Sequence, residues 1–109
     1  MKVKRGDVWL VNLDPTIGHE IRKTRPAVVV QNDIGNEYSS TTIIAPITSQ
    51  NTEKIYPMEV LLESKESMSK VLLNQIRAVD KQRLLKHIGS VDSETMHRVN
   101  EALMVSLGL

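Results

Sequence analysis

The chain has 109 residues and a mass of 12.3 kDa, which predicts one domain over residues 1–109, because single cores usually run to about 100–150 residues. Its 40% hydrophobic and 25% charged residues, with 5 Gly and 4 Pro, exclude disordered and fibrous classes; the absence of cysteine excludes disulfides, thiolate metal sites and thiol nucleophiles. The formal net charge is only +1, yet residues 1–25 carry six basic against three acidic groups and residues 70–86 carry five against one.

Residues 7–13 hold VWLVNL between Gly6 and Asp14-Pro15, a β-branched and aromatic run that predicts a strand with Trp9, Val11 and Leu13 in the core. Residues 14–25 follow no period and hold Pro15, Gly18 and five charged side chains, so they read as a long exposed loop. PAVVVQ, residues 26–31, is a central strand opening at a proline, followed by a turn with one helical turn within 32–40. Residues 42–48 resume the strand pattern, where Pro46 predicts an edge or a bulge. Residues 57–62, 70–74 and 75–79 are further strands, residues 80–85 a short helical turn, and 85–89 a last strand. The one substantial helix starts at Asp92, an N-cap type, carries an apolar stripe of Met96, Val99, Leu103 and Leu107, and stops at Gly108. About seven short strands with one terminal helix predict a small, mostly antiparallel barrel.

No apolar run exceeds four residues, against the ~20 that cross a bilayer. No apolar stretch follows the basic start either, so neither a span nor a secretory signal is expected, and the location expected is cytoplasmic. The glycines form neither a dinucleotide-binding nor a Walker loop, the histidines at 19, 87 and 97 lack metal-ligand spacing, and no serine-hydrolase elbow occurs. No metal and no cofactor are therefore expected.

What remains is a group at strand edges: His19, Glu20, Arg22, Lys23 and Arg25 in the long loop, with Thr48 and Ser49 closing the strand that ends PITS. Antiparallel pairing of the two flanking strands makes Arg25 and Thr48 neighbours. A guanidinium beside a hydroxyl is a cradle for phosphate, and the 2′-hydroxyl of RNA supplies its own nucleophile. The plainer reading, a strand-end arginine and a β-favouring threonine, fits the same positions. His19 suits proton transfer, as imidazole titrates near neutrality, or is a solvated loop residue. Should the two basic segments meet in space, they form a surface for phosphates.

Three stretches, RGDVWLVNLDPTIGHEIRKTRPAVVVQND, TTIIAPITSQ and LLNQIRAVDKQRL, together resemble the MazF/PemK toxins of bacterial toxin–antitoxin systems over about residues 4–89. The resemblance implies a mainly β, SH3-like (CcdB/PemK-type) antiparallel barrel with a C-terminal helix, acting as a homodimer. It implies metal-independent, sequence-specific cleavage of single-stranded mRNA to 2′,3′-cyclic phosphate and 5′-hydroxyl ends, and neutralisation by a cognate antitoxin. Position by position, the catalytic arginine falls on Arg25 and the catalytic threonine on Thr48. The loop that gates and reads RNA falls on Ile17, His19 and Glu20; Asn32, Ser49, Gln50, Gln75 and Arg77 line the same groove. Some relatives have a histidine where this chain has Thr24, so proton transfer stays open among Arg25, Glu20 and His19. Two other readings stand beside this one: a non-catalytic toxin of the same fold that inhibits DNA gyrase, and a nucleic-acid-binding module without turnover. The second is disfavoured by only three aromatic residues, Trp9, Tyr38 and Tyr56.

Overall fold

The computed structural model describes residues 1–109 as seven strands, two helices and two 3-10 turns. In chain order these are β1 (Asp7–Asn12), β2 (Thr24–Val29), α1 (Asp33–Tyr38), β3 (Thr41–Thr48), β4 (Glu59–Glu63), β5 (Met68–Leu72), a turn at Leu73–Gln75, β6 (Arg77–Asp80), a turn at Lys81–Arg83, β7 (Leu84–Ser90) and α2 (Ser93–Leu107). All strand pairings are antiparallel, in the order β4-β5-β3-β2-β1-β7, with β6 also on β3. The fold is thus the expected one, mainly β with a C-terminal helix. No helix is long and apolar enough to cross a membrane.

The run AVVV is legible as a strand buried on both faces, because successive side chains enter different cores. Ala27 and Val29 join Trp9, Val11, Leu13 and Ile44 on one side of the sheet. Val28 and Val30 join Ala45, Ile47, Val71 and Leu73 on the other, which Val99 and Ala102 of α2 cover.

Three expectations change. Pro46 marks neither an edge nor a bulge: β3 is the most connected strand, and Pro46 pairs with Ala27 of β2. On its other side β3 pairs with β6 over Thr41–Ile44 and with β5 over Ile47–Thr48, which leaves Pro46 in the gap between two ladders, where a missing N–H is tolerated. Second, β2 begins two residues before Pro26, because β1 recruits Thr24 and Arg25 opposite Asn12 and Val11. Third, β5 ends at Leu72 and β6 starts at Arg77, the residues between them being taken up by the 3-10 turn. On α2, Val99 is fully buried and Met96 and Leu103 pack partly, whereas Leu107 is 56% exposed together with Met104 and Val105.

Candidate active site

The two strands flanking the long loop set the geometry. β2 and β3 pair Ala27 with Pro46 and Val28 with Ala45. Carried two residues past the end of this ladder, the register sets Arg25 opposite Thr48. No hydrogen bond joins their side chains. Arg25 is half-buried, and its Nε donates to the carbonyl of Arg22 at 2.7 Å, leaving the terminal guanidinium nitrogens without a protein partner. Thr48 is buried; its Oγ1 accepts from the Gln50 backbone N–H at 3.2 Å, so the hydroxyl proton is free to donate.

Two adjoining clefts lie on the Thr48 side of this pair, sharing Ile21, Asn74 and Gln75, and Arg25 lines neither. The larger, about 370 Å³, is also lined by His19, Glu20, Pro46 and Arg77. The smaller, about 190 Å³, is lined by Thr48, Gln50, Asn51, Glu59 and Lys70. The loop is pinned over them: the Ile21 N–H donates to Gln75 Oε1 at 2.8 Å, and at the loop neck Leu13 N–H donates to the Lys23 carbonyl at 3.0 Å. Lys23 there adopts φ +72°, a left-handed backbone uncommon for a side-chain-bearing residue.

The two basic segments do meet. Arg77 Nη1 donates to the Leu13 carbonyl at 2.9 Å, and Arg83 Nη1 donates to the carbonyls of Asn12, at 3.0 Å, and of Asp14. These two arginines thereby spend terminal guanidinium donors on the chain itself, while Arg25 spends only its Nε.

Sequence reasoning missed Lys70 and Glu59. Lys70 lies directly opposite Thr48 in the β3–β5 register, and its Nζ sits 2.9 Å from Glu59 Oε1, with both side chains under a tenth exposed. The signal was there: a lysine in phase with the buried Leu72 needs a counter-charge, and Glu59 on the paired β4 supplies it.

Residues 4–107 match the family described as PemK-like, MazF-like toxin of type II toxin-antitoxin system. The chain belongs to this family. Endoribonuclease EndoA of Bacillus subtilis (strain 168) is 47% identical to this MazF-type chain over 113 residues, covering 100% of the chain and 97% of EndoA. The crystal structure of MazF (Form-I) from Deinococcus radiodurans superposes with a TM-score of 0.87 at 26% identity, over 100% of this chain and 99% of that one. A mycobacterial endoribonuclease solved with its cognate antitoxin shares the fold, with a TM-score of 0.83 at 23% identity, over 98% of this chain and 96% of that one.

Not every nominated residue of this MazF-type toxin stands at the clefts. Asn32 lies beyond the opposite end of β2 from Arg25, where its side chain accepts from the Gly35 N–H at 2.8 Å as the N-cap of α1. Next to it, the Arg5 backbone N–H holds the Asp33 carboxyl below the ordinary carboxylate range. Ile17 projects into solvent, 81% exposed, and Ser49 is exposed just after β3. Glu20 Oε1 accepts from the Ile17 N–H at 2.8 Å and so braces its own loop turn, whereas His19 has no hydrogen-bond partner within the chain and lines the larger cleft.

Proposed function

We propose that this endoribonuclease toxin cuts single-stranded mRNA at a short sequence, leaving 2′,3′-cyclic phosphate and 5′-hydroxyl ends, with no metal and no cofactor. The 2′-oxygen attacks phosphorus and loses its proton, the bond to the 5′-oxygen breaks, and that oxygen takes a proton as it leaves. Arg25 stabilises the charge that builds on the phosphorane, and Thr48 orients the scissile phosphate by donating its hydroxyl proton. His19 is the favoured proton-transfer group, because Glu20 is occupied in its turn. Ile17, Ser49, Gln50, Gln75 and Arg77 hold flanking nucleotides. The observation that carries this reading is the β2–β3 register, which, carried two residues past its ladder, sets Arg25, with unpartnered guanidinium nitrogens, opposite Thr48, a lining residue of the smaller cleft.

The same reading extends to partners. The chain works as a cytoplasmic homodimer over the single domain 1–109, and the exposed apolar residues at the end of α2 give a second copy something to cover. A cognate antitoxin neutralises it, supported by the antitoxin complex solved for the mycobacterial relative.

The test is incubation with a long single-stranded RNA in excess EDTA, beside Arg25→Ala, with the cuts and their ends mapped. Discrete cuts with cyclic phosphate ends, reduced at least about 100-fold in the variant, are expected, as for loss of a principal charge-stabilising donor. Intact RNA from folded wild-type protein would sink the reading and bring gyrase inhibition forward.

A further inference from the structure

Beyond the Arg25 and Thr48 pair, we infer that Tyr56, Lys54 and the Lys70–Glu59 ion pair form a nucleotide subsite. It stacks and orients one base flanking the scissile phosphate. The inference rests on the endoribonuclease reading and adds a specificity element that belongs to this chain's own β3–β4 connection.

Tyr56 is one of only three aromatic residues, and it is held at the surface, 46% exposed, instead of in either core. Its backbone is fixed there. The Tyr56 N–H donates to Glu59 Oε1 at 3.0 Å, and the Glu59 N–H donates back to the Tyr56 carbonyl at 2.9 Å. Glu59 in turn holds Lys70 Nζ at 2.9 Å, and Lys70 also donates to the Lys54 carbonyl at 3.2 Å. Because Lys70 stands opposite Thr48, the ring is tied to the strand end that carries the hydroxyl through one side chain.

The chemistry around the ring selects the occupant. Two ammonium groups approach it, Lys54 Nζ at 5.1 Å and Lys70 Nζ at 5.9 Å from the centroid. An aromatic ring with ammonium groups over it suits a base attached to phosphate, the base replacing the mobile cation on the ring while that cation takes the phosphate. The cleft between Thr48 and Lys70 is lined by Gln50, Asn51, Asn74 and Gln75, residues whose side-chain amides carry both donors and acceptors of the kind a Watson–Crick edge pairs with, Gln75 Oε1 being already taken by the Ile21 N–H. Lys70 and Glu59 are locked by mutual pairing, whereas Lys54 is exposed and free to leave the ring for a phosphate when a base stacks. A duplex, whose bases are already stacked and paired, has no free face to offer.

The probe is a random-sequence pool of short single-stranded RNA, used in two ways. Active protein cuts the pool and the cut positions are sequenced; Arg25→Ala protein binds it and the Kd is measured. Tyr56→Leu, made in both backgrounds, is expected to weaken binding about tenfold, as for loss of one stacked base. It should also flatten the preference at one position beside the cut, with the rate at saturating RNA within about threefold of the parent, since stacking on a flanking base adds ground-state and transition-state binding alike. Tyr56→Phe keeps the ring and recovers both affinity and preference. An unchanged Kd and an unchanged cut preference in Tyr56→Leu would overturn the subsite. Should the active protein leave the pool uncut, the endoribonuclease reading falls by itself, while the Kd ratio between Tyr56→Leu and its parent still decides the subsite.

Discussion

Lys70 shows how a single residue links strand register to the cleft. Its ammonium is buried, and it is tolerated only because Glu59 and the Lys54 carbonyl accept its protons. Removing one member of such a pair strands the other charge. Lys70→Met is therefore expected to cost about 3 kcal/mol in a denaturant titration, whereas adding Glu59→Gln restores most of the loss. Equal destabilisation by the single and double variants would refute a pair held by mutual compensation. The pair was illegible in the chain text because Glu59 and Lys70 sit eleven positions apart on strands whose register no local pattern fixes. Arg25 and Thr48 were legible as neighbours, since one antiparallel turn-around joins the strands that bear them. The orientation of the Arg25 guanidinium was not, because the Arg22 carbonyl that takes its Nε belongs to an aperiodic loop.

At the scale of elements, α2 was the most readable. Asp92 caps it as its residue type predicts, accepting the Thr95 N–H at 2.7 Å, and Gly108 ends it in the left-handed conformation at φ +72°. The helix reaches the clefts through the turn at Leu73–Gln75: Leu73 is fully buried, and its carbonyl accepts the Ser106 hydroxyl at 2.8 Å, which fixes Gln75 and with it the loop at Ile21. That first hydrogen bond from Thr95 also holds the Asp92 carboxyl below the ordinary carboxylate range. A depressed folded-state pKa gives stability that is complete above the unfolded carboxylate range and is lost as pH falls through the folded value. Asp92→Ala should therefore lower Tm by about 5 °C at neutral pH. The gap to wild type should close in strong acid, where both chains lack the charge; a gap constant across that range would show that the carboxylate form contributes nothing. The strands themselves were legible by type, but their ends shifted by up to two residues. Pairing with a neighbour recruited Thr24 and Arg25 into β2, and a 3-10 turn took Leu73–Gln75 out of β5 and β6.

Across the whole molecule, charge is separated instead of accumulated. A net charge of +1 gives little long-range pull on a polyanion, so RNA affinity must come from the local cations that the fold gathers. Arg77 and Arg83 join the two basic segments but spend donors on carbonyls at and just after the end of β1, leaving Arg22, Lys23 and Arg25 of the loop, with Lys54, as exposed or half-exposed cations on the side of the loop and the β3–β4 connection. Single-stranded nucleic acid releases counterions so that log K falls with log salt by about 0.7 for each phosphate neutralised. Three or four contacts then predict a slope of about −2 to −3. Thr48→Val keeps every cation, so it should show this full slope, and Arg25→Ala should be shallower by about 0.7. Identical slopes would mean that Arg25 does not face a phosphate in the bound state. A slope near zero for both would mean that stacking and amide contacts carry the complex without the basic segments. The value between these limits separates a phosphate-gripping arginine from one that merely closes its own loop on Arg22.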